Sequence, residues 1–250
     1  MVIIISINKS VVTSSSTTPF KFFWLYPILL WLSIFPTSLI FMLFFQIFSI
    51  FIPTFLIICF LPVSIVLYYG MFILFLLLFS RLYLTILILI HKPREGLIER
   101  SFKNNDYLFF IIRKNIKSLT LKIFNYFPLP WAKLLALRSL GIKVSYNSGV
   151  LDSYIDSDFI IIENNVILGE GSVIMSSMII NEYLLIKRVL LKEGCTIGAF
   201  SVISPGTIVE NGAILGLGSY TKINQCIEEN SIYIGRPAKK LRNNIILNQK

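Results

Sequence analysis

The sequence predicts an α + all-β chain: two or three N-terminal transmembrane helices, basic amphipathic linker helices, then a triangular parallel β-helix. Three observations predict it. Residues 22–90 carry a single charge, Arg81, in a chain that is 55% hydrophobic and 14% charged, with mean hydropathy +0.76. Residues 91–145 then hold 11 basic side chains against 3 acidic ones. From Ile162 onward, apolar residues recur at six-residue steps. A soluble domain averages about 25% charged residues, which argues against an ordinary globule. The boundaries that follow are a tail (1–21), membrane helices (22–90), basic juxtamembrane helices (91–143), repeats (144–235) and a basic C-terminal tail (236–250).

As one helix, the apolar region would be roughly 100 Å long, about three times a hydrocarbon core. It must fold back. Pro27, Pro36, Pro53, Pro62 and the Tyr68-Tyr69-Gly70 stretch offer places to turn or kink. Breaks are expected near Ser49–Pro53 and near Gly70, leaving two or three helices. The region is far too long for the apolar core of a signal peptide. Trp24, Tyr26 and Trp31 fit an aromatic belt at the first entry. Arg81 is read as snorkelling to an interface.

The basic stretch after the last apolar run is the positive-inside pattern, placing residues 91–250 on the cytoplasmic side. Tyr107–Ile123 reads as an amphipathic helix, with Lys114, Lys117 and Lys122 beside Phe109, Phe110, Ile111 and Ile116. Leu134–Leu140 continues in the same style. Both are expected to lie along the bilayer surface, held by apolar area and by attraction to anionic lipid headgroups. No recognition motif supports nucleic acid as the partner of this charge.

The repeat begins at Ile162-Glu-Asn-Asn-Val166 and recurs at Leu191–Cys195, Val209–Ala213 and Ile227–Ser231. Further phases run six residues later (Leu168, Ile197, Leu215) and six beyond those (Ile174, Ile203, Thr221). Six residues per face and three faces per turn describe a prism. The apolar residue of each hexapeptide points inward, and the small residue four positions on packs near the corner. Each coil buries the next one's apolar face. An insertion of 11 residues, Ile180–Leu190, interrupts the period and reads as a loop leaving the prism.

These residues resemble the hexapeptide-repeat acyltransferases from Val144 to Arg242. The segment Tyr233-Ile-Gly235-Arg-Pro237-Ala238-Lys239 is similar to the family's terminal signature. With membrane helices in front, the chain also resembles the membrane-bound hexapeptide domains at the ends of some nonribosomal-peptide-synthetase-like proteins. The resemblance implies a left-handed helix and acetyl-CoA or another acyl-CoA as donor. It implies a hydroxyl or amine acceptor, here lipid-linked or membrane-delivered, and a homotrimer with sites between subunits. It assigns donor binding to Gly198, Gly216, Gly218, Gly235, Pro237, Ala238 and Lys239. The pantetheine arm would lie between Gly216–Ser219 and Gly235–Ala238, and Lys239, Lys240 and Arg242 would hold its phosphates.

The family's catalytic base is a histidine at the exit of the loop, the slot that Ser177 or Met178 fills here. Neither is a base near neutral pH. Glu182, in the insertion, is the candidate substitute. His91 is the chain's single histidine and lies beside the membrane region, so multi-histidine metal sites are excluded. That removes the γ-class carbonic anhydrases, which share the prism. Cys195 takes the small packing slot shared with Ser201, Thr207, Ala213 and Ser219 and is read as structural. The alternative function is a catalytically silent β-helix that binds an acyl carrier or acts as an assembly module on the membrane.

Overall fold

A computed structural model describes residues 12–13, 24–51, 53–150, 153–156 and 158–243. The expected N-terminal tail (Val12–Thr13 apart), Phe22 and residues 244–250 of the expected C-terminal tail lie outside the described residues.

Three helices carry the apolar region: α1 (Leu25–Phe51), the short α2 (Thr54–Cys59) and α3 (Leu61–Ile90). Two of them, α1 and α3, are long and apolar enough to cross a membrane. The chain breaks near Pro53, as expected, but Gly70 lies inside α3 with open space around it. One glycine costs a helix only about 1 kcal/mol, which the apolar residues flanking it readily offset. Helices α1 and α3 form an antiparallel hairpin. The Ser38 and Tyr68 hydroxyls lie 2.9 Å apart, and Phe41 meets the edge of Tyr68 at 5.1 Å between ring centroids.

The linker forms α4 (Asn105–Phe124), capped by the Asn104 side chain accepting from Asp106 N–H, and α5 (Pro130–Ser139). Here the structure corrects an expectation, because α4 does not lie on a bilayer surface with one free face. Ile112 and Ile116 pack on Leu76, Leu84 and Leu87 of α3. Tyr107, Phe110 and Ile111 pack on Ile179, Leu184 and Ile186 in and beside the insertion. The polar residues between them, Arg113 and Lys117, are buried against the prism. The physical reason is that their shared partner, Asp158, comes from the first coils of the repeat, which no periodicity within the helix reveals.

The prism has three parallel faces. The first stacks Lys143–Val144, Ile160–Ile162, Val189–Leu191, Ile208–Val209 and Cys226–Ile227. The second stacks Ile167–Leu168, Thr196–Ile197, Ile214–Leu215 and Ser231–Gly235. The third stacks Tyr154–Ile155, Val173–Ile174 and Val202–Ile203. The inward positions predicted from the six-residue step, among them Leu191, Ile197, Ile203, Val209, Leu215 and Ile227, are fully buried, as are the small residues Val166, Cys195 and Ala213. Leu134 and Leu137 of α5 join this core and close its N-terminal end.

Two stretches differ from expectation. The insertion is not a loop but a β-hairpin, Ser177–Ile180 with Tyr183–Ile186, extended on one edge by Gly96–Glu99 and on the other by Val12–Thr13, all antiparallel. Its alternate apolar residues need a surface, and α4 supplies it. Residues 236–243, expected within a tail, turn back as the strand Ala238–Asn243 and pair antiparallel with Ser231–Gly235. This covers the edge that the last coil would otherwise present to solvent.

Candidate functional site

A cavity of about 880 Å³ lies between α4, α5 and one corner of the prism. Lys114, Lys122 and Lys133 reach it from the helices, and Tyr154, Asp156, Glu170 and Phe200 from the coils. Apolar lining comes from Leu121, Phe124, Phe127 and Leu129.

Asp156 follows the strand Tyr154–Ile155 and is 1% exposed. Its Oδ2 accepts from the Ser177 N–H at 3.0 Å and from the Ser177 hydroxyl, while Lys114 Nζ stands 3.4 Å from Oδ1. Ser177 is one of the two residues, with Met178, at which the resemblance expects a histidine, and it is tied here to a buried carboxylate. Beside it, the Tyr154 hydroxyl is pushed up to about 12, by burial first and by the Asp156 charge second. It stays protonated at neutral pH and remains a hydrogen-bond donor.

Asp158 lies two positions after Asp156. Lys117 Nζ reaches its Oδ1 at 2.6 Å and Arg113 Nε its Oδ2 at 3.3 Å. Arg113 also donates to the His91 carbonyl at 3.3 Å. The His91 ring stacks on Phe109 at 4.8 Å, with Nε2 3.0 Å from Asp106. His91 therefore belongs to the α3–α4 junction and not to the cavity.

At the cavity corner, Phe200 adopts φ +55° and lays its ring where a Cβ on Gly171 would sit, 2.7 Å away. A bulky residue seldom takes this left-handed conformation. It turns the aromatic ring onto the cavity rim.

Of the residues singled out in the sequence, Ser177 and Met178 are buried at the start of the hairpin. Glu182 is exposed at the hairpin turn, where its carbonyl accepts from the Arg100 N–H at 2.7 Å, and it does not line the cavity. Gly198 has a structural reason to be glycine: a Cβ there would lie 2.6 Å from the Leu217 nitrogen on the next coil. At Gly216 a Cβ would meet Ile234 at 3.0 Å. Gly218 and Gly235 take φ +62° and +110°, at the two ends of the closing hairpin's contact with the prism.

The stretches 216–219 and 235–238 are joined directly by hydrogen bonds. Gly235 N–H donates to Ser219 Oγ at 3.0 Å, Tyr220 N–H to the Gly235 carbonyl at 3.2 Å, and Ala238 N–H to the Tyr220 carbonyl at 2.7 Å. Arg236 Nε closes the corner on the Gly218 carbonyl at 2.6 Å. Ala238 is buried in the prism core, Lys239 is exposed, and Lys240 pairs with Glu228.

Sequence reasoning missed Asp156, because the hexapeptide phase begins six residues after it and no motif surrounds it. The signal was present as two acidic residues, Asp156 and Asp158, and a run of cations at helical spacing, Arg113, Lys114 and Lys117.

No family model and no curated protein matches the chain. Among solved structures, one match is a Bacillus cereus protein described as an acetyltransferase, at 25% identity and TM-score 0.31, over 38% of this chain and 49% of that one. The chain thus spans about half that protein's length. The maltose O-acetyltransferase of Clostridium difficile 630 matches at 17% identity and TM-score 0.46, over 56% and 89% of the two chains. A hexapeptide-repeat acetyltransferase of Vibrio cholerae O1 biovar eltor, solved with acetyl-coenzyme A, matches at 15% identity and TM-score 0.41, over 56% and 89%.

Proposed function

We propose that this chain is a membrane-bound acyltransferase of the hexapeptide-repeat type, moving an acyl group from an acyl-CoA thioester to a hydroxyl or amine. The left-handed sense of the prism, the trimer and the likeness to the membrane domains of synthetase-like proteins belong to the same reading. The observation that carries it is the buried Asp156 carboxylate at the wall of the cavity, bonded to Ser177.

In this reading the acceptor enters the cavity and its O–H or N–H meets Asp156. The carboxylate takes that proton as the acceptor's lone pair attacks the thioester carbon, and the proton then passes to the departing CoA thiolate. A positioned base of this kind supplies roughly 10²- to 10⁴-fold. The lysines on the cavity wall suit an acceptor with a phosphate or carboxylate, and the apolar lining suits a lipid-linked one. Because 216–219 is bonded directly to 235–238, the donor is assigned to the outside of that corner, along Gly216, Gly218, Pro237 and Lys239. Gly198 and Ala238 support this surface from within, and Gly235 shapes the turn.

The second reading, a silent binding module, is favoured by the absence of a histidine beside the cavity. The test is titration of the detergent-purified protein with acetyl-CoA by calorimetry, followed by thioester-cleavage assays with hydroxyl and amine acceptors. The enzyme reading expects binding that Lys239→Glu weakens and turnover that Asp156→Asn removes while binding persists. Binding without turnover in any acceptor screen would favour the silent module. Absence of binding by the wild type would overturn the donor-site assignment and leave an assembly module on the membrane as the better account.

A further inference from the structure

The α1–α3 hairpin divides into two parts. All of its buried residues among those described lie towards the prism: Leu29, Ser33 and Thr37 on α1, and Ile73, Leu76, Ser80, Leu84 and Leu87 on α3. They pack on α4, partly through the Ser80–Thr120 hydroxyl pair at 2.8 Å. Beyond the Ser38–Tyr68 pair no described side chain is buried, and Met42, Leu43, Ile47, Ile50, Phe51 and Phe55 are exposed.

The polar limit of the protein can be placed against this division. Phe124 packs on Ile73, and Phe127 lies 5.8 Å from Tyr69. Lys122, Asn125 and Lys133, which need water or a polar headgroup, stand beside them. Tyr126 and Trp131 are 83% and 58% exposed at the same level, where amphipathic rings belong in a membrane interface. From that level the hairpin projects only about 20 Å at 1.5 Å per residue, against a hydrocarbon core of about 30 Å. Its turn, residues 49–64, contains no charged residue at all. A loop emerging into water on the far side would present Phe51, Phe55, Ile58 and Phe60 to solvent.

We propose that the hairpin is a re-entrant anchor: it enters the lipid bilayer from the side that carries the prism and turns back within the hydrocarbon without crossing. The inference rests on the membrane-bound reading and refines it. Ser49 and Ser64 return their hydroxyls to the Gln46 and Phe60 carbonyls, so these two polar side chains of the turn are satisfied without water. The cavity, lined by Phe127 and Leu129 at the same level, then opens at the headgroup layer.

Cys59, at the end of α2 in the turn, is a native probe: it is free and exposed, as is Cys226, whereas Cys195 is buried. The full-length Cys226→Ser variant is inserted into phosphatidylcholine–phosphatidylglycerol vesicles, with prism orientation checked by protease access. A charged maleimide is supplied outside, or trapped inside the vesicles beforehand. The expected result is loss of Cys59 labelling from both sides, with labelling restored by detergent, which hydrates the thiol and lets the reactive thiolate form. Labelling by the trapped reagent would overturn the re-entrant hairpin in favour of two full spans. Failure to float with vesicles, with Cys59 labelled from outside, would instead overturn the membrane reading itself.

Discussion

Lys117 donates to Asp158 across 2.6 Å, joining the centre of α4 to the first coils of the prism with both side chains almost fully buried. Arg113 shares the same carboxylate. Two cations on one buried anion make this junction sensitive to which partner is lost.

Asp158→Asn leaves both cations buried without a full counter-charge and is expected to cost about 3 to 5 kcal/mol. Lys117→Met leaves the Arg113 pair intact and should cost less. Urea unfolding in detergent, monitored by fluorescence, ranks the two. A larger loss for Lys117→Met would contradict the shared-anion arrangement.

Acid should act through the same group. Burial pushes the Asp158 carboxyl up, but Lys117 and Arg113 together outweigh it and hold it below the ordinary carboxylate value. A folded value below the unfolded one of about 3.9 means the contribution is complete above that pH and is lost as pH falls through the folded value. Stability of the wild type is therefore expected to fall below about pH 4. In Asp158→Asn this acid limb should flatten, which melting curves at several pH values would show.

Gly198→Ala is expected to destabilise the prism, because its Cβ would lie 2.6 Å from backbone of the next coil, which cannot move alone. Gly149→Ala is the control: it meets nothing within 4 Å and should be close to silent. Thermal unfolding of the two side by side tests the coil-stacking account. Equal melting temperatures would refute it.

Cys195 should be inert. Burial comes first among the causes that push its thiol up to about 12, so the reactive thiolate is scarce at neutral pH. In detergent at pH 8, a thiol reagent is expected to modify Cys59 and Cys226 at once and Cys195 only after denaturant is added. Mass mapping of the modified peptides gives the answer.

Much of the prism was legible because its rule is local. Each inward residue sits six positions from the next, so Leu191, Ile197 and Ile203 announce their burial without reference to any other element. The helix α4 was legible as a helix but not in its setting. Its hydrophobic spacing shows an apolar face, yet Arg113 and Lys117 look like a solvated face until Asp158 is brought against them.

Gly70 shows the opposite error. Read locally it suggests a break, but an apolar run on both sides continues the helix through it. Likewise Ile180–Leu190 reads as a loop by its interruption of the period, whereas its folding as a hairpin depends on the apolar surface of α4.

The sequence by itself determined the order of parts, the three-faced repeat, an apolar region that folds back as two or three helices and the absence of a histidine beside the insertion. These follow from periodicity and composition, which act between near neighbours in the chain. Only the tertiary structure decided that Asp156 meets Ser177, that Glu182 faces solvent, and that the terminal signature seals the corner it flanks. Those outcomes depend on contacts between residues far apart in sequence, where loop closure and the burial of paired charges decide which groups meet.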